Sequence, residues 1–194
     1  VAVPPLSEQV AIAEVLAALD DKIAANTAMA GTVDRFLAST FERLVEGHDV
    51  QNLTSVADVN RTSVRPSAGS LRYLDITSVG IGEYTYPELI DWAQAPGRAR
   101  RGVATGDTVW STVRPNRRSH ALILDATPEL VASTGLAVLS PRDVGPAYLY
   151  EATRRPEFSA YLENVAEGSA YPAVRAERFL EAPIPDVPAE SRNA

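Results

Sequence analysis

Residues 7–46 run for forty positions without a proline and with a single glycine, Gly31, and this uninterrupted stretch constrains the chain more than any other feature. Pro4-Pro5-Leu6-Ser7 precedes it, so Ser7 is placed to cap the first turn, Glu8 suits the positive end of the helix dipole, and Gly47 supplies the stop. A helix of this length extends about 60 Å, longer than the width of a domain built from the rest of the chain. It should protrude. Alternate steps of four and three from Ile12 reach Leu16, Leu19, Ile23, Asn26, Ala30, Val33, Leu37, Thr40 and Leu44. That is a heptad seam with polar interruptions, and it asks for a partner helix. The pairing residues are then Ile12, Leu16, Leu19, Ile23, Asn26, Val33, Leu37 and Leu44. Asn26 has two readings, a buried amide that fixes register or a polar residue in a solvated stretch. Phe36 and Phe41 widen the apolar face. A lone helix with this stripe would leave it in water, so either another helix covers it or the helix folds back on its own domain.

The 194 residues suffice for one hydrophobic core and not for two large domains. With 45% apolar and 22% charged residues the composition is that of an ordered chain. From Asn52 the texture changes to short alternating runs broken by Gly, Pro and Ser. Residues 55–59, 71–76, 107–113, 121–124 and 136–139 read as strands, and 146–154 and 156–167 as helices. The expected fold is α+β: a long N-terminal coiled-coil helix over 1–48, one mixed α/β domain over 50–185, and a tail or the start of a second helix over 186–194. Pro183-Ile184-Pro185-Asp186-Val187-Pro188-Ala189-Glu190 loosely repeats Val1-Ala2-Val3-Pro4-Pro5-Leu6-Ser7-Glu8, as though the chain were one period of a longer repeat. No apolar run approaches a membrane span and no signal-peptide plan opens the sequence, so a cytoplasmic protein with no membrane partner is expected.

Charge is unevenly spread. Residues 1–50 hold eight acids and three bases, a balance of −5, whereas residues 92–120 hold six arginines and one acid, a balance of +5. The whole chain carries −7, which by itself argues against a nucleic-acid partner. Seventeen of its 18 basic residues are arginine, from either a preference for bidentate contacts or a GC-rich coding bias. The chemistry of most enzyme classes is missing. There are no cysteines and only two histidines, His48 and His120, so a metal site is not expected. No Asn/Asp-Pro-Pro-aromatic loop for methyl transfer and no P-loop occurs, and Gly80-Ile81-Gly82 reads first as a turn. Carboxylates do not cluster around a lysine as a nuclease needs, since the one lysine, Lys22, sits on the long helix. Neither histidine has a nucleophile in a recognisable context. A non-catalytic binding role, without cofactors, is the expectation.

The stretch from Gly106 to Ser119 is the most informative, because a buried strand runs into Arg114-Pro115-Asn116-Arg117-Arg118. Proline stiffens this loop, which presents three guanidiniums and an amide to phosphates and base edges, or else forms a solvated basic turn. Arg98, Arg100 and Arg101 precede the same strand and suit phosphate contacts. Gly168-Ser169-Ala170-Tyr171-Pro172 offers Ser169 and Tyr171 on a loop able to approach a DNA backbone, or an ordinary helix-terminating turn.

Pro4-Pro5-Leu6-Ser7-Glu8-Gln9, Ile12-Ala13-Glu14-Val15-Leu16 and Leu19-Asp20-Asp21-Lys22-Ile23-Ala24-Ala25-Asn26 resemble the long helix of the DNA specificity (S) subunit of type I restriction-modification systems. Tyr73-Leu74-Asp75-Ile76, Gly106-Asp107-Thr108-Val109, Ser133-Thr134-Gly135-Leu136-Ala137-Val138-Leu139, Ala147-Tyr148-Leu149-Tyr150 and Gly168-Ser169-Ala170-Tyr171-Pro172 are similar to landmarks of that family's target recognition domain. The resemblance covers nearly the whole chain. It implies a half-length specificity subunit that reads one half of a bipartite site on double-stranded DNA. The implied partners are type I methyltransferase (modification) subunits, a restriction subunit reached through the complex, and a second S half or a second copy paired through the long helix. S-adenosylmethionine and ATP would belong to those partners. The alternative is an assembly or decoy protein that docks the methyltransferase subunit without reading DNA.

Overall fold

The computed structural model describes residues 3–193; Val1, Ala2 and Ala194, and with them the outermost ends of the first and last expected segments and the start of the loose repeat, lie outside the described residues. Two compact units are present, Val1–Glu46 and Gly47–Ala194.

The first unit is helix α1, Leu6–Val45. Its start differs from the expected one: Pro5 occupies the cap position, Ser7 lies inside the first turn, and no side chain caps the end. The amide groups of Glu8 and Gln9 donate instead to the Pro5 carbonyl at 3.0 Å each, and the Gln9 side-chain amide donates to Pro4 O at 2.8 Å. Proline suits this position because it already has the required φ and lacks an N–H that would need a partner. The hydroxyls of Thr27 and Thr32 donate to carbonyls four residues back, so polar residues within the helix are satisfied locally. Along the heptad seam Ile12, Leu16, Leu19, Ile23, Val33 and Leu37 are 47–63% exposed, Asn26 is exposed, and Leu44 is half-buried. Beyond the helix Gly47 adopts φ +76°, a conformation that ends helices and that side chains resist.

The second unit begins with β1 (Val50–Asn52) and β2 (Ala57–Val59), followed by β3 (Ser70–Leu74), β4 (Leu89–Asp91), β5 (Ala99–Gly102), β6 (Thr108–Ser111), β7 (His120–Leu122), β8 (Leu130–Ser133) and β9 (Leu136–Pro141). Helices α2 (Pro146–Arg154), α3 (Pro156–Val165) and α4 (Ala176–Leu180) come next, then β10 (Pro183–Pro185) and a short 3₁₀ helix, Ala189–Asn193. The strands form a fully antiparallel sheet in the order β2-β9-β6-β7, a second sheet in the order β4-β3-β8-β5 in which β3 and β8 run parallel, and a separate β1-β10 pair.

The two larger sheets share one core. Val109, Ala121, Leu136 and Val138 from the first meet Leu74, Leu130 and Ala132 from the second. The period-2 alternation of β-strands then turns Trp110 to the opposite face, against the helices. Trp110 stacks on His120 with ring centroids 4.7 Å apart and meets Phe158 of α3 at 5.4 Å, and Phe158 in turn meets Phe179 of α4 at 6.3 Å. All four residues of β6 are therefore buried, the signature of a strand covered on both faces.

Both expected helices of this unit are present, the first over the same residues and the second ending two residues earlier. The expected strand at 55–59 is split between a 3₁₀ turn, Leu53–Ser55, and β2, and the strand at 71–76 ends at Leu74, where Asp75 opens another 3₁₀ turn. Strands β1, β4, β5, β8 and β10 and helix α4 were not expected. Most are too short to show a period, and β8, Leu130-Val131-Ala132-Ser133, is buried throughout and shows none.

Phe158 joins the helical layer to the sheet, so Phe158→Ala should destabilise the fold by about 3–5 kcal/mol. Urea denaturation should show this as a lower midpoint with an unchanged slope.

Candidate nucleic-acid interface

The site grows from the end of β6. Past Ser111 the chain can no longer pair within the sheet, and other partners take over. Thr112 donates its N–H and its hydroxyl to the Gly135 carbonyl, both at 2.9 Å. The Thr112 carbonyl accepts from Val174 N–H at 2.8 Å, and the Arg114 N–H donates to Pro172 O at 2.7 Å. These bonds tie the strand exit to residues 172–174. Glu167 and Ala173 exchange two backbone hydrogen bonds of 2.9 Å and close the intervening loop, with Gly168 at φ +95° where a Cβ would approach the Tyr171 carbonyl. Tyr171 is thereby set beside Arg114, whose guanidinium lies 4.7 Å from the ring centroid. This is a cation–π contact that orients the guanidinium plane.

Arg114 and Arg118 bracket the 3₁₀ turn Pro115–Arg117 and both have left-handed backbones, at φ 52° and φ 54°. For residues with side chains this conformation costs about 1–2 kcal/mol each. Strain of this kind persists where the surroundings fix it and gathers at functional sites. Here the buried Pro115 and the Arg114–Pro172 bond hold the turn.

A cleft of about 460 Å³ opens at this point. Arg98, Arg114, Arg117 and Tyr171 line it, together with Asp75, Ile76, Thr77 and Ser119. Arg98 reaches it because its carbonyl accepts from Thr134 N–H at 2.8 Å, which pins the start of β5 against the turn between β8 and β9.

The remaining expected residues lie elsewhere. Arg118 donates to the Arg154 carbonyl at 2.6 Å and so caps the C-terminal end of α2. Arg100 donates to the carbonyl of its neighbour Ala99 at 2.6 Å, and Arg101 sits half-buried on β5 just past the register shift between Ala99 and Arg101. Asn116 is exposed within the 3₁₀ turn and Ser169 is exposed on the Gly168 loop; neither lines the cleft.

Asp75 was not singled out from sequence as a site residue. Its Oδ1 accepts from both the N–H and the hydroxyl of Thr77 at 3.0 Å. Burial pushes this carboxyl up, but the bonds from Thr77, the nearby Tyr73 hydroxyl and the charge of Arg98 outweigh it and hold the group below the ordinary aspartate value. It is ionised at neutral pH. The readable signal was an Asp directly after a strand with Thr two residues on, the pattern of a side chain that bonds back to the main chain. Behind it, Ile76 packs so closely on Gly135 that an added Cβ would lie 2.0 Å from Ile76 Cδ1. Gly135 therefore supports both walls of the cleft, the Asp75 turn by its missing side chain and the β6 exit by its carbonyl.

Among the described residues no group of His, Cys, Asp and Glu could hold a metal ion, and no helix is long and apolar enough to cross a membrane.

No protein-family model and no curated protein sequence matches the chain. Solved structures do. The HsdS subunit from Thermoanaerobacter tengcongensis superposes with a TM-score of 0.62 at 24% identity, over 73% of this chain and 39% of that one. A chain from a structure described as the basis of complex assembly and conformational transition of the type I R-M system superposes with a TM-score of 0.63 at 27% identity, over 76% of this chain and 40% of that one. The chain thus spans about two fifths of the length of the structures it matches. A long helix followed by a mixed strand and helix domain is the fold this chain shares with the HsdS subunit.

Gly135→Ala should force Ile76 out of its position and cost about 1–3 kcal/mol as overpacking. Chemical denaturation measures the loss, and a crystal structure of the variant should show the Asp75 turn displaced from the cleft.

Proposed function

We propose that this chain is a non-catalytic reader of double-stranded DNA that gives a type I restriction-modification complex its target sequence, each copy recognising one half of a bipartite site. The observation that carries this reading is the convergence of Arg98, Arg114 and Arg117 with Tyr171 on one cleft, in a fold shared with HsdS. Arginine's planar fork suits phosphate oxygens and the O6 and N7 of guanine. Strained backbone, a buried proline and an aromatic platform fix Arg114, and the same turn fixes the backbone of Arg117, before DNA arrives, which lowers the ordering cost of binding. Net charge does not oppose this. Of the −7 total, −5 lies within residues 1–50, leaving −2 on residues 51–194 around a locally basic cleft.

On the same reading, α1 pairs through its exposed seam with the equivalent helix of a second copy or of a complementary S half, and offers its remaining surface to modification subunits. Those subunits hold the methyl donor, and the restriction subunit joins through them. Such a complex works in the cytoplasm. A second reading, a decoy that occupies the modification subunit without reading DNA, draws on the overall acidity and on the same exposed seam.

The two are separated by titrating a randomised duplex pool with the chain, alone and with its modification partner. The reader selects a sequence, and log affinity falls against log salt with a slope of about −0.9 per phosphate contacted. Arg117→Ala should then either cost about 1–3 kcal/mol at one base pair, or weaken all sequences alike and flatten the slope by about one unit. Partner capture with no selected sequence would establish the decoy. For the helix, the double variant Leu19→Glu, Ile23→Glu places like charges in the seam and should convert an associated species into a monomer in sedimentation velocity.

A further inference from the structure

Three arginines and one acid line the cleft, and the acid is the informative member. Phosphate oxygens only accept hydrogen bonds, so a carboxylate among guanidiniums weakens any grip on the DNA backbone. Asp75 is nevertheless built in firmly. The Thr77 N–H and the Thr77 hydroxyl both donate to its Oδ1. A carboxylate has about four acceptor positions, so these two bonds, both on one oxygen, leave room for a further donor. Half-buried at the edge of the cleft, it meets whatever enters there.

Resting on the DNA-reading function proposed above, we infer that Asp75 is a specificity-determining residue that accepts the exocyclic amino group of a cytosine in the major groove. Exocyclic amino groups are the hydrogen-bond donors that base edges expose in the grooves. Guanine and thymine turn acceptors toward the major groove and are repelled by a carboxylate; adenine offers N6 but sets the acceptor N7 beside it. Cytosine N4 has no such acceptor next to it on its major-groove edge. The neighbouring arginines complete the match, since O6 and N7 of the paired guanine are arginine's preferred targets. One anchored acceptor beside guanidinium donors is therefore complementary to a C·G pair and to its orientation.

Asp75→Asn tests this, because asparagine caps a turn as well as aspartate and keeps the Thr77 bonds while adding a donor. Selection from a randomised duplex pool by the full chain with its modification partner should give a consensus that contains a cytosine. The variant should lose preference for it by roughly 5- to 150-fold at that position alone, with the melting temperature and the other positions unchanged. An identical consensus from both proteins would overturn the assignment. So would uniformly tighter binding, which would make Asp75 only a repulsive charge, or uniformly weaker binding with a lower melting temperature, which would make it only a cap. A parent chain that selects no sequence is a different failure, because it removes the reading of DNA and the role of Asp75 with it.

Discussion

Everything on the candidate binding face depends on β6 being covered from both sides. Val109 is held in the core between the two sheets and Trp110 between its own sheet and the helices, so the strand can neither rotate nor shift by one residue without exposing one of them. Its last residue, Ser111, therefore delivers the chain to the cleft in a single direction. The bonds from Thr112 to Gly135 carry that direction across to the β8–β9 turn, and the packing of Ile76 on Gly135 carries it on to the Asp75 turn. The cleft is in this sense a continuation of the core. Its two walls come from opposite sheets, and one glycine without a side chain keeps them at a fixed separation.

How much of this could be read from sequence depended on whether a residue's role was set by local or by long-range contacts. Helix α1 and the pair α2 and α3 were legible because prolines, glycine and period mark their ends within a few residues. The arginine turn was legible as a rigid loop because Pro115 fixes it locally. The directions of its side chains were not. Arg118 belongs to the end of α2, 36 residues away in sequence, and Arg114 to Tyr171, so neighbouring arginines with equal sequence claims serve different purposes. Asp75 was overlooked for a related reason. A lone aspartate after a strand reads as a turn residue, and only the fold brings it onto one cleft with Arg98, Arg114 and Arg117. The cap predicted at Ser7 failed by one turn chemistry winning over another, because Pro5 takes the cap position and the Pro5 carbonyl the first amides.

On the proposed function, the distribution of charge bears on how two such readers would act together. Three cleft arginines on a unit of net charge −3 neutralise few phosphates, so on the proposed function one copy alone gains little from counterion release and holds non-specific DNA poorly. Joining two readers through paired helices makes the second binding event intramolecular, which can raise overall avidity by about 10²–10⁴ without any new contact, provided both half-sites lie at the spacing the pair can span. On the proposed function, weakness of the single copy then becomes the source of discrimination: a duplex with one correct half-site would be released, and a duplex with two at the right distance kept. On the same proposed function an acidic α1 would serve that end, since a basic helix would hold any DNA and blur the distinction between one correct half-site and two.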